Sequence, residues 1–362
     1  MTDPVLAYIF QGQLHLERDG GGQVVESAFG RSLRDRAAQI YNRHAWKTQG
    51  RGGQSLSRAL RMPDMADPGE FRIAVTSVAR GWQAGELMYT LETDEISGVF
   101  VRDSEGVEKR LFHTADFRAR HPDPSPDGSA IALSVSHRNG MANLAVLKPD
   151  GSDLNEVTDG ESMDEAPRWV PGAGRRLVFQ SAGMARDLRG RYSHMGPSCV
   201  QQLDLDSGEM TCLAQDAGFD FLWPRMAPDG ALYYIRRPYN NPIKKPNPAA
   251  VAGQTMLMPF RILFGIFKFF ELMAMARAGR LPQPEKDAPE TSGKTPASWL
   301  LMRQPAGGGT AETVAEAARS FDLANNGSLL YSDGLDAYRI PAGGGSPQKV
   351  LAGAQIDLIA AL

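Results

Sequence analysis

Short runs of apolar and β-branched residues, broken by tight polar turns, occupy most of this chain. Ile131-Ala-Leu-Ser-Val-Ser, Arg176-Leu-Val-Phe-Gln-Ser and Ala231-Leu-Tyr-Tyr-Ile are three such runs. Each follows a turn rich in Pro and Gly, at Pro126–Gly128, Pro171–Gly172 and Pro228–Gly230. Proline presets φ at the first turn position and glycine accepts the positive φ that comes later. Extended runs bounded by these turns predict strands joined by hairpins, and hence an all-β chain.

The units recur. The first opens His121-Pro-Asp-Pro-Ser-Pro-Asp-Gly, the second Ala166-Pro-Arg-Trp-Val-Pro-Gly, and the third Trp223-Pro-Arg-Met-Ala-Pro-Asp-Gly. Two later hairpins turn on Pro305-Ala-Gly-Gly-Gly and Pro341-Ala-Gly-Gly-Gly. Short strands in groups of four, returning every ~40–60 residues, are the signature of radially repeated sheets.

The pattern Pro-x-x-Ser-Pro-Asp-Gly-x-x-Ile-Ala at Pro122–Ala132, echoed at Pro167–Val178 and Pro224–Tyr234, resembles the TolB-like (WD40-like, PD40) repeat. The resemblance is clear over residues 115–240 and weaker over 1–28, 71–113 and 297–362. It implies a six-bladed β-propeller, a fold usually employed as a binding scaffold. Neither an export signal nor the N-terminal domain of periplasmic TolB is recognisable, so a role in the Tol system is not implied.

On this scheme residues 1–362 form one propeller domain. Blade 2 spans 71–112, blade 3 spans 121–159, blade 4 spans 165–215, and blade 6 spans 319–351. Blade 5 uses Asp220–Met226 and Ala231–Arg236 and resumes at Ser298–Arg303. Val5–Phe10, Gln13–Glu17 and Val24–Ser27 make three strands without an inner one, and Gln355–Leu362 makes one strand without a blade. Pairing the two chain ends closes the ring and removes an aggregation-prone edge.

Composition narrows the function. Lys+Arg number 39 against Asp+Glu 42, a net charge of −3, which lacks the basic surplus of a nucleic-acid-binding domain. Two cysteines, Cys199 and Cys212, exclude a disulfide scaffold and a Cys-based zinc site. A hairpin about Asp206–Gly208 sets Cys212 opposite about Gln202, which leaves two free thiols. The start carries no basic n-region, and the apolar run Val5–Phe10 is too short for a signal peptide, so a cytoplasmic location is expected.

Candidate chemistry is sparse. Asp123-x-Ser125-x-Asp127-Gly128 opens like a calcium loop, but its twelfth position is Ser134 rather than a bidentate Glu, so a hairpin turn is expected. Histidines 15, 44, 113, 121, 137 and 194 show no metal-ligand spacing. No nucleophile elbow or phosphate loop is present. No catalytic, cofactor-binding or metal-binding residue is therefore assigned, and a hydrolase or lyase using the propeller funnel is the least favoured reading.

Two insertions stand out. Residues 30–70, between blades 1 and 2, hold Arg31, Arg34, Arg36 and Arg43 with Asp35 as the one acid before residue 64, and Ser32–Trp46 can form a helix. Residues 239–296 interrupt blade 5. They begin with a stiff linker bearing Lys244 and Lys245 and carry an apolar helix at about 257–277. On that helix Arg261, Gly265, Lys268 and Glu271 make a narrow polar stripe, and eleven large apolar side chains cover the rest. A single membrane crossing would put neighbouring strands of one blade on opposite sides of the bilayer, so a helix lying in the membrane interface is expected. Its contact residues are Phe260, Arg261, Leu263, Phe264, Phe267, Lys268, Phe270 and Met273.

Blade topology brings both insertions to one face, where Arg186, Arg189 and Arg191 complete a basic surface with Arg31, Arg34, Arg36, Arg43, Lys244 and Lys245. The functional expectation is a non-enzymatic cytoplasmic propeller, peripheral on the inner membrane through an anionic lipid surface, that binds an unidentified protein partner. It requires no cofactor and no nucleic acid. The alternative is a soluble interaction module whose helix docks in a protein groove or in a second copy of the chain.

Overall fold

The computed structural model describes residues 6–18, 21–48, 72–172, 174–186, 192–240 and 293–362. Strands β1 (Leu6–Phe10), β2 (Gln13–Arg18) and β3 (Gly21–Val25) lead into helix α1 (Ala28–Thr48). β4 (Ile73–Arg80), β5 (Leu87–Thr93), β6 (Ser97–Arg102) and β7 (Glu108–Thr114) form a four-stranded antiparallel meander. So do β17 (Phe219–Met226), β18 (Leu232–Pro238), β19 (Leu300–Gln304) and β20 (Glu312–Glu316). A third meander is β21 (Ser320–Leu323), β22 (Leu329–Ser332), β23 (Ala337–Ile340) and β24 (Gln348–Leu351).

The chain ends share the remaining four-stranded sheet. β25 (Leu358–Ala361) runs antiparallel to β1, with Leu6 opposite Ala361 and Ile9 opposite Leu358, giving the order β25-β1-β2-β3. The expected closure by the terminal strands is thus present, with a third strand at Gly21–Val25 rather than Val24–Ser27.

The expected six separate blades are corrected. Four blades stand as discrete four-stranded sheets, while residues assigned to a third and a fourth blade share one nine-stranded sheet. It joins β8 (Arg118–Pro124), β9 (Ile131–Ser136), β10 (Ala142–Leu147) and β11 (Asn155–Glu156) to β12 (Ser162–Trp169), β13 (Arg176–Arg186), β14 (Tyr192–Met195), β15 (Cys199–Asp204) and β16 (Met210–Ala214). The reason is local. The short connection after β11 lays the start of β12 beside β10, and one parallel bridge, Ala142 to Met163, fuses two meanders. The stretch that carries Arg186 also contributes strand to this sheet. There β13 continues to Arg186 and pairs with β14, Met184 opposite Met195.

The core is made of apolar layers between the faces of successive sheets. Ile131, Leu133 and Val135 of β9 pack with Met88, Val99 and Val101 of the preceding sheet, and Phe179 and Leu177 of β13 pack with Ala132 and Leu144. Strands buried on both faces read as near-continuous apolar runs, which explains the pattern of Ile131–Ser136. Turn glycine is enforced where sheets meet. Gly151 holds φ at +91°, and a Cβ there would lie 1.9 Å from the Leu111 carbonyl oxygen.

Two sequence expectations are met by the hairpins. Ser125 Oγ and the Ser129 N–H and Oγ all donate to Asp127 Oδ1, so this side chain closes a turn. Those bonds hold its carboxyl down at about 2. Cys212 pairs across from Gln201, one residue from the expected position, and both thiols are free.

Candidate functional site

Strands β8, β12 and β17 share a backbone irregularity that builds the inside of the ring. Each carries a register shift, between Arg120 and Asp123, Glu165 and Arg168, and Leu222 and Arg225. At each shift one residue before proline is left-handed: His121 at φ +53°, Ala166 at +52° and Trp223 at +57°. Such residues are costly outside glycine and persist only where neighbours hold them. Here the preceding strands do so. Ser77 Oγ accepts the His121 N–H at 3.0 Å, His121 Nδ1 accepts the Ala166 N–H at 3.3 Å, and Gln180 Oε1 accepts the Trp223 N–H at 2.9 Å. Because Nδ1 accepts, the neutral His121 ring carries its proton on Nε2. Burial and the Arg120 and Arg168 charges hold its pKa well below the usual range.

The bulges place the residue after each proline, Asp123, Arg168 and Arg225, in the lining of a cavity of about 890 Å³. Arg80 at the end of β4, Trp169, Tyr233, Arg303 and the turn residues Pro126, Pro171 and Asn325 also line it. Two of its arginines are each paired with a carboxylate. Arg168 Nη1 lies 3.4 Å from Asp123 Oδ1, and Arg225 Nε lies 3.0 Å from Asp322 Oδ1. Asp123 Oδ2 also accepts the Trp169 N–H at 2.8 Å, and Asp322 Oδ2 accepts the Ala361 N–H at 2.9 Å. Both carboxylates therefore tie their own strand to the next inner strand. Burial, followed by the charge of Arg225, pulls the Arg168 guanidinium down to about 10, still cationic at neutral pH. Nearby, Glu92 grips Arg120 through both oxygens at 2.7 and 3.1 Å, and burial raises the Glu165 carboxyl, which accepts from Gln180 at 3.3 Å.

At this level of architecture the solved structures offer a comparison. No protein-family model matches the chain, and no curated protein matches its sequence. TolB from Acinetobacter baumannii aligns with 99% of this chain and 66% of its own, at 13% identity and a TM-score of 0.55. A nidogen/laminin complex aligns over 99% of both chains at 9% identity and a TM-score of 0.56. The fold is a TolB-like β-propeller. The chain spans 66% of that TolB chain.

Of the propeller's inner-strand charges, Asp123 was expected only as part of a hairpin turn, and Arg168 and Arg225 carried no expectation. The signal was present in the repeat itself: Pro122-Asp123, Pro167-Arg168 and Pro224-Arg225 each set a charge directly after the proline. Charges at one repeat position, inside units whose inner strands face a common axis, mark the axis.

Of the residues expected on a basic face, Arg31, Arg34 and Arg36 lie exposed on α1. Arg31 and Arg34 both approach Glu26, at 3.0 and 3.7 Å, so an acid just ahead of the basic stretch offsets some of its charge. Arg43 lies in the same helix, and Arg186 ends β13. Arg189, Arg191, Lys244 and Lys245 lie outside the described residues. So do Phe260, Arg261, Leu263, Phe264, Phe267, Lys268, Phe270 and Met273, with the whole 257–277 segment.

Helix α1 starts at Ala28, four residues before the expected Ser32, because its first turn is clamped. Ser27 Oγ accepts the Gly30 N–H at 3.1 Å, and the Glu108 carboxylate from β7 accepts the N–H groups of Ala28 and Phe29 at 3.0 and 2.9 Å. A carboxylate at a helix N-terminus satisfies orphan donors and complements the helix dipole. The Tyr89 hydroxyl donates to the same carboxylate, and the Phe29 ring packs at a tilt against Phe100, 5.2 Å between centroids. Changing Glu108→Ala should release the first turn at a cost of about 1–2 kcal/mol. Amide exchange over residues 28–34 should accelerate strongly while strand protection stays intact. Unchanged exchange there would show that Phe29 packing alone holds the helix.

Proposed function

We propose that this chain is a non-catalytic propeller scaffold that binds a protein partner and is held on the cytoplasmic, anionic face of a membrane by residues 257–277. One observation carries the membrane reading. β18 and β19 pair directly, Arg236 opposite Leu300, so the long segment between them starts and finishes at the same place. A single crossing would set those two paired strands on opposite sides of the bilayer. A helix lying in the interface, apolar face in the acyl region and Arg261 and Lys268 toward headgroups, meets both constraints. Arg31, Arg34 and Arg36, with Lys244 and Lys245 of the linker, would add attraction of about 1 kcal/mol per basic residue near an anionic leaflet. Among the described residues no helix is long and apolar enough to cross a membrane.

The scaffold reading rests on rigidity. Ring closure and the ties between inner strands fix the surface loops, and one similar structure is itself a complex of two proteins. Asp123 in the cavity lining and Asp322 behind Arg225 are already occupied by arginine and backbone N–H groups, and Asp229 and Glu312 are held by Arg303, which favours a structural and binding role over general-base chemistry.

Vesicle flotation tests the anchor. The intact protein should float with vesicles containing phosphatidylserine and stay at the bottom with neutral ones. Replacing Phe264, Phe267 and Phe270 by Ser removes aromatic surface of ~150–250 Å² each when fully buried, on the order of several kcal/mol of lipid affinity. The variant should stop floating and melt as the wild type does. A wild type that never floats, with a variant that melts lower, would place the segment against protein instead.

A further inference from the structure

The charge pairs leave the cavity rich in donors and poor in acceptors. Asp123 and Asp322 have every oxygen engaged: Asp123 with Arg168 and the Trp169 N–H, Asp322 with Arg225 and the N–H groups of Leu323 and Ala361. The arginines do not. Arg168 makes its bonds to the Pro122 and Pro167 carbonyls and to Asp123 through Nη1. Arg225 meets Asp322 through Nε, which leaves both of its terminal nitrogens. The Arg80 guanidinium has no acceptor or ion-pair partner among the described residues. A guanidinium offers five N–H donors and no acceptor, so three of them, from β4, β12 and β17, converge with most of their donors free. Farther along the lining Arg303 differs: Asp229 and Glu312 hold it at 3.2 and 3.0 Å, so it is already neutralised.

We infer that this cavity is a binding site for a compact polyanion, a molecule bearing two or more carboxylate or phosphate groups, held by Arg80, Arg168 and Arg225. More than one acidic group is called for because the free donors come from three separate strands, and planar guanidinium forks suit carboxylate and phosphate alike. A volume of about 890 Å³ admits a ligand of that size. A cation is disfavoured beside these three guanidinium groups, where the Asp123 and Asp322 oxygens are already taken. The inference stands on the cavity alone and does not depend on the membrane reading.

Arg80 is the residue to test, because its side chain holds nothing else in the described fold and its loss should leave melting unchanged. Isothermal titration of the full chain with citrate and, separately, with pyrophosphate should give saturable one-to-one binding to at least one of them, weakening as salt rises. Arg80→Gln should lower that affinity about tenfold or more, the loss expected for a charge-assisted hydrogen-bonding group. Arg80→Lys, which keeps the charge but not the fork, should fall between. Binding of citrate alone would assign carboxylate chemistry, and binding of pyrophosphate alone phosphoryl chemistry. No saturable binding of either, or wild-type affinity in Arg80→Gln, would overturn the assignment.

Discussion

Removing Leu358–Ala361 is expected to abolish the single cooperative melting transition and to make the protein aggregate at moderate temperature. Those residues are the inner strand of the sheet that closes the ring. Ile359, Ala360 and Ala361 are buried, and their strand pairs with β1 from Leu6 to Ile9. The strand also serves two apolar layers at once. Ile359 and Ala361 pack with Leu330 and Ala337 on one side, and Ala360 packs with Val75 and Tyr89 on the other. Deletion would expose the Ala7-Tyr8-Ile9 edge, an unpaired apolar strand of the kind that recruits other chains. It would also take the Ala361 N–H from Asp322, loosening the partner of Arg225. Calorimetry with light scattering checks the outcome. A truncated chain that melts in one transition at the wild-type temperature would show that the ring does not depend on this closure.

The second large effect is expected at Asp123. Changing Asp123→Ala leaves the Arg168 guanidinium, whose side chain is 7% exposed, without its carboxylate, and leaves the Trp169 N–H without an acceptor. Breaking one partner of a buried ion pair costs about 3–5 kcal/mol, far more than the pair adds over an apolar replacement. The urea midpoint should fall accordingly with little change in slope. Asp127→Ala, four residues on and confined to an exposed turn, should cost about 1 kcal/mol or less. Adding Arg168→Met to Asp123→Ala should recover much of the loss, because it removes the stranded charge. A small effect at Asp123 would mean that water already serves Arg168 in the cavity.

The local architecture was legible in the residues. Alternating apolar runs and Pro-Asp-Gly turns located most strands to within a residue or two, because strand burial and turn φ values are set by neighbours in sequence. β2 ends at Arg18 where Glu17 was expected, and β18 begins at Leu232 where Ala231 was expected. The unmatched strands at the two ends foretold the pairing of β1 with β25, since an inner strand missing at one end and a spare strand at the other leave one way to satisfy their backbone groups. The early start of α1 was less legible. Glu108, which clamps its first turn, is about eighty residues away, and only the packing of β7 beside it supplies that carboxylate.

What tertiary structure alone decided is how separate the sheets are and which charges meet. Whether two neighbouring meanders remain apart or share a bridge depends on one contact, Ala142 to Met163, too slight to leave a mark in composition or periodicity. The charges after each proline were visible one by one as Asp123, Arg168 and Arg225. Their pairing, and the free donors of Arg80, follow from the ring, which brings inner strands as separate in the chain as β4 and β17 to one axis. Sequence dictates which side chains face inward, because alternation and the bulge are local. Only closure dictates what each of them faces, because that partner arrives from a distant stretch of the chain.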